Sequence, residues 1–259
     1  MTYNYHTHTY FCHHASGEIE DYIIRAIDCG ITHMGFSDHA PHILKDGTQS
    51  GYRVEVSKVG EYFGKVSRLR EKYKDKIDIK IGFEMEYYPE CFKKMLQNVI
   101  NYGAEYLILG EHFVEEESAS AIQSGLKNEN TDFLKKYVCC VVEGIKSGAF
   151  TYVAHPDMIN FTGDIDTYKN EIRKICVASR KYNIPLEINF LGIRGMRNYP
   201  NEIFWQVAGE EKSPVTFGFD AHTAFDAYDG ASLSKAIELV EKYKLNYIGK
   251  PNLILPQIE

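Results

Sequence analysis

The sequence YNYHTHTYFCHHA, residues 3 to 15, contains four histidines within nine residues, at the point where the first predicted strand ends. His6 and His8 are two residues apart, so on an extended chain both imidazoles point to the same side. A pair in that arrangement can bind one metal ion. The fold and the function therefore depend on whether the other histidines of the chain reach the same place.

Strand-like segments, rich in β-branched and aromatic residues, alternate with longer amphipathic stretches along the chain. Strands are predicted at residues 3–8, 32–39, 77–86, 105–113, 150–155, 185–190 and 215–222, and helices at residues 18–31, 58–74 and 233–244. Since each crossover helix returns the chain to the same end, the strands are expected to be parallel. We predict one α/β domain over residues 1–259, with a closed barrel favoured over an open doubly wound sheet. The first strand is not followed by a glycine-rich phosphate loop, which counts against the open sheet.

The composition is that of a globular protein with one large core: 259 residues, 44% hydrophobic and 25% charged. The formal net charge is -7. Binding to a nucleic acid duplex needs a surplus of Lys and Arg, so nucleic acid is not expected as the main partner. A small phosphate-ester substrate remains compatible with this charge, and so does assembly into a homo-oligomer.

The sequence also bears on the location of the protein. No apolar run approaches the ~18 residues of a membrane span, and the amino terminus lacks a basic-then-apolar signal pattern. The six cysteines form no C-x-x-C pair, which favours reduced thiols over a disulfide framework. We therefore expect a cytoplasmic protein that has no membrane partner.

Residue types that bind metals recur where the predicted strands end. In parallel α/β barrels the carboxyl ends of all strands face one mouth, so residues far apart in sequence converge there. His14 lies on the loop that must cross this mouth. The predicted metal ligands are His6, His8, His14, His39, Glu84, His112, His155, Asp220 and His222.

Nine candidates exceed the needs of one ion, since a tetrahedral site takes about four ligands. We therefore predict two or three divalent ions. Imidazole and carboxylate without thiolate suit Zn²⁺, Mn²⁺ or Fe²⁺. Two positions have a competing neighbour: His13 beside His14, and Glu111 beside His112. Strand alternation lets only one of Glu111 and His112 face the mouth, and we favour His112.

In their order and spacing these nine residues resemble the metal signature of the polymerase-and-histidinol-phosphatase (PHP) family, over nearly the whole chain. The segments HTHTYFCHHA, SDHAP and LEINFLGIR further resemble its histidinol-phosphate phosphatase branch. The resemblance implies a distorted (β/α)7 TIM-like barrel with a trinuclear metal centre, and its spacing favours His14 over His13. The chain departs from the branch after His155, where Asn160 and Phe161 stand in place of a basic residue.

The resemblance also implies how the ligands are shared among three ions. The first ion would take His6, His8, Glu84 and Asp220; the second would take Glu84 as a bridge, His112 and His155; the third would take His14, His39 and His222. A hydroxide that bridges two such ions forms near neutral pH, because the pKa of bound water falls towards ~7. This hydroxide can attack phosphorus in line with the leaving oxygen.

The function implied by the resemblance is hydrolysis of L-histidinol phosphate to L-histidinol and phosphate, a reaction of histidine biosynthesis. Alternatives are another small phosphate ester as the substrate, a nuclease of the same family, and a binding module without turnover. The predicted catalytic residues are Glu84, Asp220, His222 and His42. The predicted substrate-binding residues are Asn189, Arg194, Arg197 and His42, with a guanidinium able to hold phosphate through two hydrogen bonds.

Overall fold

Parallel strands alternate with helices through residues 1–118 and 121–258, which are the residues described by the structure, a computed structural model. The strands are β1 Tyr3–Asn4, β2 His33–Phe36, β3 Asp78–Met85, β4 Tyr106–Leu109, β5 Tyr152–Val153, β6 Leu186–Asn189, β7 Pro214–Gly218 and β8 Asn246–Tyr247. The α-helices are α1 Ile19–Asp28, α2 Val59–Tyr73, α3 Phe92–Asn101, α4 Thr131–Lys146, α5 Ile165–Tyr182, α6 Phe190–Arg194, α7 Glu202–Glu211 and α8 Gly230–Tyr243.

The strands form one sheet in the order β1 to β8, and every neighbouring pair is parallel. Beyond β1 and β7 the chain closes this sheet: the His8 N–H donates to the Ala221 carbonyl at 2.9 Å, and the Ala221 N–H donates to the His6 carbonyl at 3.2 Å. The predicted α/β class is confirmed, as a distorted TIM-like barrel, and the open sheet is excluded.

An eighth strand was not predicted from the sequence. β8 has two exposed residues, and it pairs with the beginning of β7, where Pro214 and Val215 lie opposite Asn246 and Tyr247. Its sequence shows no alternation because it is too short to have a buried and a solvent face. It pairs at the amino-terminal end of β7, whereas the closing contacts of His8 and Ala221 lie past the carboxyl end of β7.

The barrel interior is filled by tyrosines below its carboxyl end. Tyr5 follows β1 and Tyr106 lies in β4, two strands that are not neighbours, yet their ring centroids are 5.7 Å apart. Gly35 in β2 makes room for this contact, since a Cβ there would lie 2.2 Å from the Tyr106 hydroxyl oxygen. The packed interior leaves the carboxyl end as the open side of the barrel.

Strand alternation breaks at two places that determine the site. Tyr5 and His6 are consecutive, but both point inward, because β1 ends at Asn4 and regular alternation ends with it. His155 and Asp220, which follow β5 and β7, have positive φ angles of 32° and 49°. This conformation is uncommon for residues other than glycine, and it turns the backbone sharply just past each strand.

Two expectations on location and thiols can be compared with the structure. Within residues 1–118 and 121–258, no helix is long and apolar enough to cross a membrane. All six cysteines are free, as expected from their spacing.

Candidate active site

The predicted ligands gather around the carboxylate of Glu84, which lies in β3 and is almost fully buried. Its Oε1 atom lies 2.8 Å from His155 Nε2 and 3.5 Å from His112 Nε2. Its Oε2 atom lies 3.5 Å from His6 Nε2, 3.3 Å from His8 Nε2 and 3.3 Å from His39 Nδ1. One carboxylate therefore contacts imidazoles from five different predicted ligand positions.

Asp220 forms a second carboxylate centre on the other side of the same imidazoles. Its Oδ1 atom lies 3.5 Å from His6 Nε2 and 3.4 Å from His8 Nε2. The same oxygen lies 3.3 Å from Nδ1 of His222. Glu84 and Asp220 thus flank the His6–His8 pair, which the spacing of two residues had predicted to act together.

The remaining imidazoles form a group at the outer side. The His14 ring centroid lies 5.3 Å from that of His39 and 4.9 Å from that of His222. The competing His13 points away from this group, with its Nε2 atom 3.8 Å from Oε1 of Glu55. His14, rather than its neighbour, therefore joins the cluster.

The neighbours Glu111 and His112 point in different directions, as alternation requires. His112 lines the cavity that contains the cluster. Glu111 is buried away from it and accepts a hydrogen bond from the Tyr87 N–H at 3.0 Å. All nine predicted ligand side chains thus lie in one place, which we call the histidine cluster.

The histidine cluster contains buried polar atoms without hydrogen-bond partners among the described residues. These atoms are Nε2 of His6, Nδ1 and Nε2 of His8, Nδ1 of His39, Nδ1 of His155 and both carboxylate oxygens of Glu84. Buried polar atoms are normally hydrogen-bonded, so a concentration of orphaned nitrogen and oxygen atoms indicates a ligand that they share. Nitrogen and carboxylate donors of this kind fit divalent cations of the Zn²⁺, Mn²⁺ or Fe²⁺ type.

The charges inside the cluster shift several pKa values. Burial alone would raise the pKa of Glu84, but the neighbouring His112, His6 and His39 hold it well below its usual range. Burial likewise opposes the ionisation of Asp220, but the neighbouring His6, His222 and His8 hold its pKa well below its usual range. Both carboxylates are therefore ionised at neutral pH and available as ligands.

Carboxylates behind the cluster orient its imidazoles. Nδ1 of His6 lies 2.8 Å from Oε1 of Glu187, and the other oxygen of Glu187 accepts from the backbone N–H of His155 at 3.1 Å. A carboxylate on one imidazole nitrogen fixes the tautomer and leaves the other nitrogen free to bind metal. Glu187 was missed in the sequence, although in β6 it has the inward parity of Asn189, which was selected.

A buried ion network supports His112 in the same way. Nδ1 of His112 lies 2.9 Å from Oε1 of Glu86, and Oε2 of Glu86 accepts from the Arg53 guanidinium at 2.6 Å. Arg53 is fully buried, and it also donates to Glu117 at 2.6 Å and to the Ala40 carbonyl at 3.0 Å. Glu86 lies two residues after Glu84, so alternation was the signal that could have found it.

A cavity of ≈ 1020 Å³ opens in front of the histidine cluster. One side of it is formed by members of the cluster. Its other walls are mainly apolar and amide side chains: Tyr52, Phe113, Gln123, Leu126, Met158, Asn160, Leu191, Met196, Asn198 and Tyr199, with Lys127 and Arg197. This volume is at the upper end of the range for small-molecule sites, so the cavity admits organic ligands up to drug size.

Of the four predicted substrate-binding residues, Arg197 lines this cavity and three do not. Arg194 donates to the carbonyls of Phe219 and Asp220, at 2.6 and 2.5 Å, and so braces the turn after β7. Asn189 is buried and donates to Oδ2 of Asp220 at 3.1 Å.

His42 is also buried, and its Nε2 atom lies 2.6 Å from Oε1 of Glu116. The predicted contact of His42 with phosphate or with the leaving group stays a prediction, as do those of Arg194 and Asn189. Lys127, which the sequence did not single out, comes from the segment between β4 and α4 and is exposed at the cavity wall.

Comparison with known proteins identifies the family of this barrel. The profile of the PHP domain matches residues 4–190 of the chain. The chain belongs to the PHP family. As a member it is a metal-dependent phosphoesterase, a hydrolase that is similar to histidinol-phosphatases.

Two curated PHP relatives cover most of the chain. A probable histidinol-phosphatase of Deinococcus radiodurans is 23% identical over 223 residues, which are 84% of this chain and 85% of the relative. The histidinol-phosphatase of Bacillus subtilis is 24% identical over an alignment that covers 85% of this chain and 93% of the relative.

A solved structure shares the PHP fold along almost the full length. The histidinol phosphate phosphatase of Lactococcus lactis, crystallised with zinc, L-histidinol and phosphate, superposes with a TM-score of 0.74 at 19% identity. The match covers 99% of this chain and 98% of the other. At this identity the likeness shows the shared fold and leaves the substrate to be argued from the site.

Proposed function

We propose that this PHP protein hydrolyses L-histidinol phosphate to L-histidinol and inorganic phosphate. The observation that carries the proposal is the histidine cluster itself, with its orphaned nitrogen and oxygen atoms at the wall of a cavity of ≈ 1020 Å³. The names of the relatives, two histidinol-phosphatases among them, support the substrate. The Lactococcus lactis protein was crystallised with L-histidinol and phosphate, which supports it further.

In this proposal the cluster holds two or three divalent ions. His6, His8, Glu84 and Asp220 hold one; Glu84, His112 and His155 hold the next; His14, His39 and His222 hold the third. Bound divalent ions supply Lewis acidity, which activates water near neutral pH and stabilises negative charge on phosphate oxygens. The tight grouping of His14, His39 and His222, with ring centroids 4.9–5.3 Å apart for His14 to each partner, supports the third set.

The residues of the chain have separate tasks in this reaction. Glu84 bridges two ligand sets because its two oxygens face different imidazoles, with His155 on one side and His8 on the other. Glu187 and Glu86 keep His6 and His112 in the tautomer that leaves Nε2 free. Arg197 contributes positive charge from the cavity wall for the phosphate group.

The proposal is tested by phosphate release from a panel of phosphate monoesters that includes L-histidinol phosphate, with the metal content measured on the same sample. We expect L-histidinol phosphate to have the highest kcat/KM and the protein to contain at least two equivalents of Zn, Mn or Fe. Single-stranded DNA in the same panel tests the nuclease alternative, which the net charge of -7 disfavours.

A pair of variants tests the role of the cluster. Glu84→Gln removes a charged bridging ligand and should lower kcat/KM about a thousandfold, as the loss of several kcal/mol of charge stabilisation predicts. Glu61→Gln, on the exposed face of α2, is the matched control and should be near wild type. Near-native turnover by Glu84→Gln, with its fold intact by circular dichroism, would show that the bridging role is wrong.

The size of the cavity is compatible with one alternative class of substrate, phosphate esters larger than histidinol phosphate. Its volume of ≈ 1020 Å³ reaches the top of the range occupied by drug-sized ligands, so it also admits phosphate esters larger than histidinol phosphate. If a larger ester in the panel has a higher kcat/KM than L-histidinol phosphate, that ester is the better substrate. The assignment of the protein as a phosphoesterase would still hold.

A further inference from the structure

The charged side chains that line the cavity fall into two groups. The acidic side chains that line the cavity, Glu84 and Asp220, both belong to the cluster. The lysine and arginine that line it, Lys127 and Arg197, lie outside the cluster on the apolar and amide walls. A ligand whose one end meets the cluster is therefore surrounded at the wall by cations and neutral groups.

The segment that carries Lys127 is held firmly by backbone hydrogen bonds. The Ser124 N–H donates to the His112 carbonyl at 2.8 Å, and the Asn160 N–H donates to the Ser124 carbonyl at 3.0 Å. The Asn128 N–H then donates to the Asn160 carbonyl, also at 3.0 Å. Lys127 thus extends from a backbone that is tied to a predicted metal ligand on one side and to the loop after β5 on the other.

The ammonium group of Lys127 has no internal partner. It forms no ion pair or hydrogen bond with any residue in 1–118 or 121–258. Arg194 differs, because its guanidinium is occupied by the carbonyls of Phe219 and Asp220 and by Asp226 at 3.3 Å. Arg197 donates to the Tyr199 hydroxyl at 2.9 Å and keeps its other N–H groups for a ligand.

We propose that Lys127 is a substrate-binding residue that, together with Arg197, binds the phosphate dianion of the substrate from the cavity wall. This inference rests on the proposed function, because it assigns the recognition of a phosphate ester. A lysine ammonium is a compact charge with three donors, and phosphate oxygens accept strong charge-assisted hydrogen bonds. Because Lys127 lies outside the cluster, its contact stabilises the bound ester and the transition state about equally, and it acts on KM.

The test compares Lys127→Met, Lys127→Arg and the control Lys94→Met, which removes an exposed lysine of α3. The metal-loaded proteins are assayed for kcat and KM with L-histidinol phosphate. The dissociation constant of inorganic phosphate is measured by calorimetry. For Lys127→Met we expect KM and the phosphate dissociation constant to rise about five- to tenfold, with kcat within about twofold. Lys127→Arg should restore most of the binding, because it keeps the charge.

The outcomes separate this inference from the proposed function. A Lys127→Met protein that matches Lys94→Met in both KM and phosphate affinity overturns the role of Lys127. A loss of kcat at unchanged phosphate affinity overturns it as well, because it would indicate a structural or catalytic role. If the wild type binds phosphate but releases none from L-histidinol phosphate, the proposed substrate is wrong, and the calorimetry still decides the role of Lys127. If the wild type binds no inorganic phosphate, the assignment of Lys127 to the phosphate group is wrong, while release of phosphate from L-histidinol phosphate still decides the proposed function.

Discussion

At the scale of single residues, the site depends on carboxylates that touch imidazoles from behind. Glu86 accepts from His112 on one oxygen and from Arg53 on the other, at 2.9 and 2.6 Å. Arg53 is buried and is itself fixed by Glu117, so Glu86 cannot rotate away. The position of the His112 ring is thus set by a chain of charged groups that lies outside the cavity.

Glu86→Gln should therefore weaken metal binding by His112. The neutral amide accepts the His112 proton less strongly and can present its own N–H group, so the metal affinity of the site completed by His112 should fall about 10- to 100-fold. Competition with a chromogenic zinc chelator measures this change without any assay of activity. Zinc affinity equal to that of the control Glu61→Gln would mean that Glu86 does not support this ligand.

Asp157 is a second buried carboxylate with a measurable consequence. Its Oδ2 atom accepts from the Asn201 N–H at 2.6 Å and from the Trp205 indole N–H at 2.8 Å, which ties the loop after β5 to α7. Burial is the main cause that raises the pKa of Asp157 to about 7. In the folded protein the group therefore holds a proton at a pH where the unfolded chain has released it.

This shift predicts the direction of a pH effect on stability. Between about pH 4 and pH 7 the folded state binds more protons at Asp157 than the unfolded state does, so this group lowers the free energy of unfolding as the pH rises. The slope is up to about 1.4 kcal/mol per pH unit, and it vanishes above pH 7. Urea unfolding in the presence of chelator measures the free energy of unfolding of the wild type and of Asp157→Asn. As the pH rises over this range, the wild-type value should fall relative to that of the variant. A difference that is constant with pH contradicts the assignment.

At the scale of strands and helices, the predicted elements match the observed ones because the hydrophobic alternation is strong. β3, for example, sends Ile79, Ile81, Phe83 and Met85 to the helices and Glu84 to the interior. The observed strands are shorter than predicted, since β1 ends at Asn4 and not at His8. The sequence shows where residue types alternate, but it does not show where the ladder of hydrogen bonds ends.

The substrate side of the site could not be predicted in the same way. The positions of His6 and Asp220 are predictable because these residues lie near the ends of strands. Lys127 lies in a loop without a periodic pattern, and hydrogen bonds between the backbones of two loops place it at the cavity. Arg194 follows β6, as predicted, and its guanidinium donates to backbone carbonyls, so its contact with phosphate stays a prediction. Side-chain direction in loops depends on tertiary contacts that no local pattern encodes.

Gly35 gives a prediction about the packing of the strands inside the barrel. A Cβ at this position would lie 2.2 Å from the Tyr106 hydroxyl oxygen and 2.8 Å from a ring carbon of Tyr5. Overpacking of a filled core typically costs 1–3 kcal/mol, so Gly35→Ala should lower the free energy of unfolding by about 3 kcal/mol. Denaturant unfolding measures it.

The control for this prediction is another glycine. Gly60, in α2, has no atom within 4 Å of an added Cβ, and Gly60→Ala should be neutral or stabilise by about 0.5–1 kcal/mol through helix propensity. If both alanine variants unfold at the same denaturant concentration, the tyrosine-filled interior is not as tightly packed as described.

At the scale of the whole molecule, the histidine cluster joins the two segments that close the barrel. Its members run from His6 and His8, which follow β1, to Asp220 and His222, which follow β7. The same two segments close the sheet through hydrogen bonds of the Ala221 backbone with the backbones of His6 and His8. Ions shared by these residues would therefore stabilise the closure of the barrel as well as the site.

Removal of metal by a chelator should loosen this closure before the rest of the fold. Metal at a thousandfold excess over its dissociation constant adds about 4 kcal/mol to the free energy of unfolding, so the melting temperature should fall on chelation and recover with zinc. Hydrogen exchange should accelerate at the amides of His8 and Ala221 more than in the middle of α5. Equal protection at these amides with and without metal would contradict a role of the ions in closing the sheet.

The account as a whole claims that imidazoles and carboxylates from the carboxyl ends of the strands hold a shared group of divalent cations. Anomalous scattering from a crystal grown with zinc tests it most directly. We predict two or three anomalous peaks, each about 2.0–2.2 Å from nitrogen or oxygen atoms of the histidine cluster, with one carboxylate, Glu84, contacting two of them. An absence of peaks there in zinc-loaded crystals, or peaks held only by residues outside the cluster, would contradict the account.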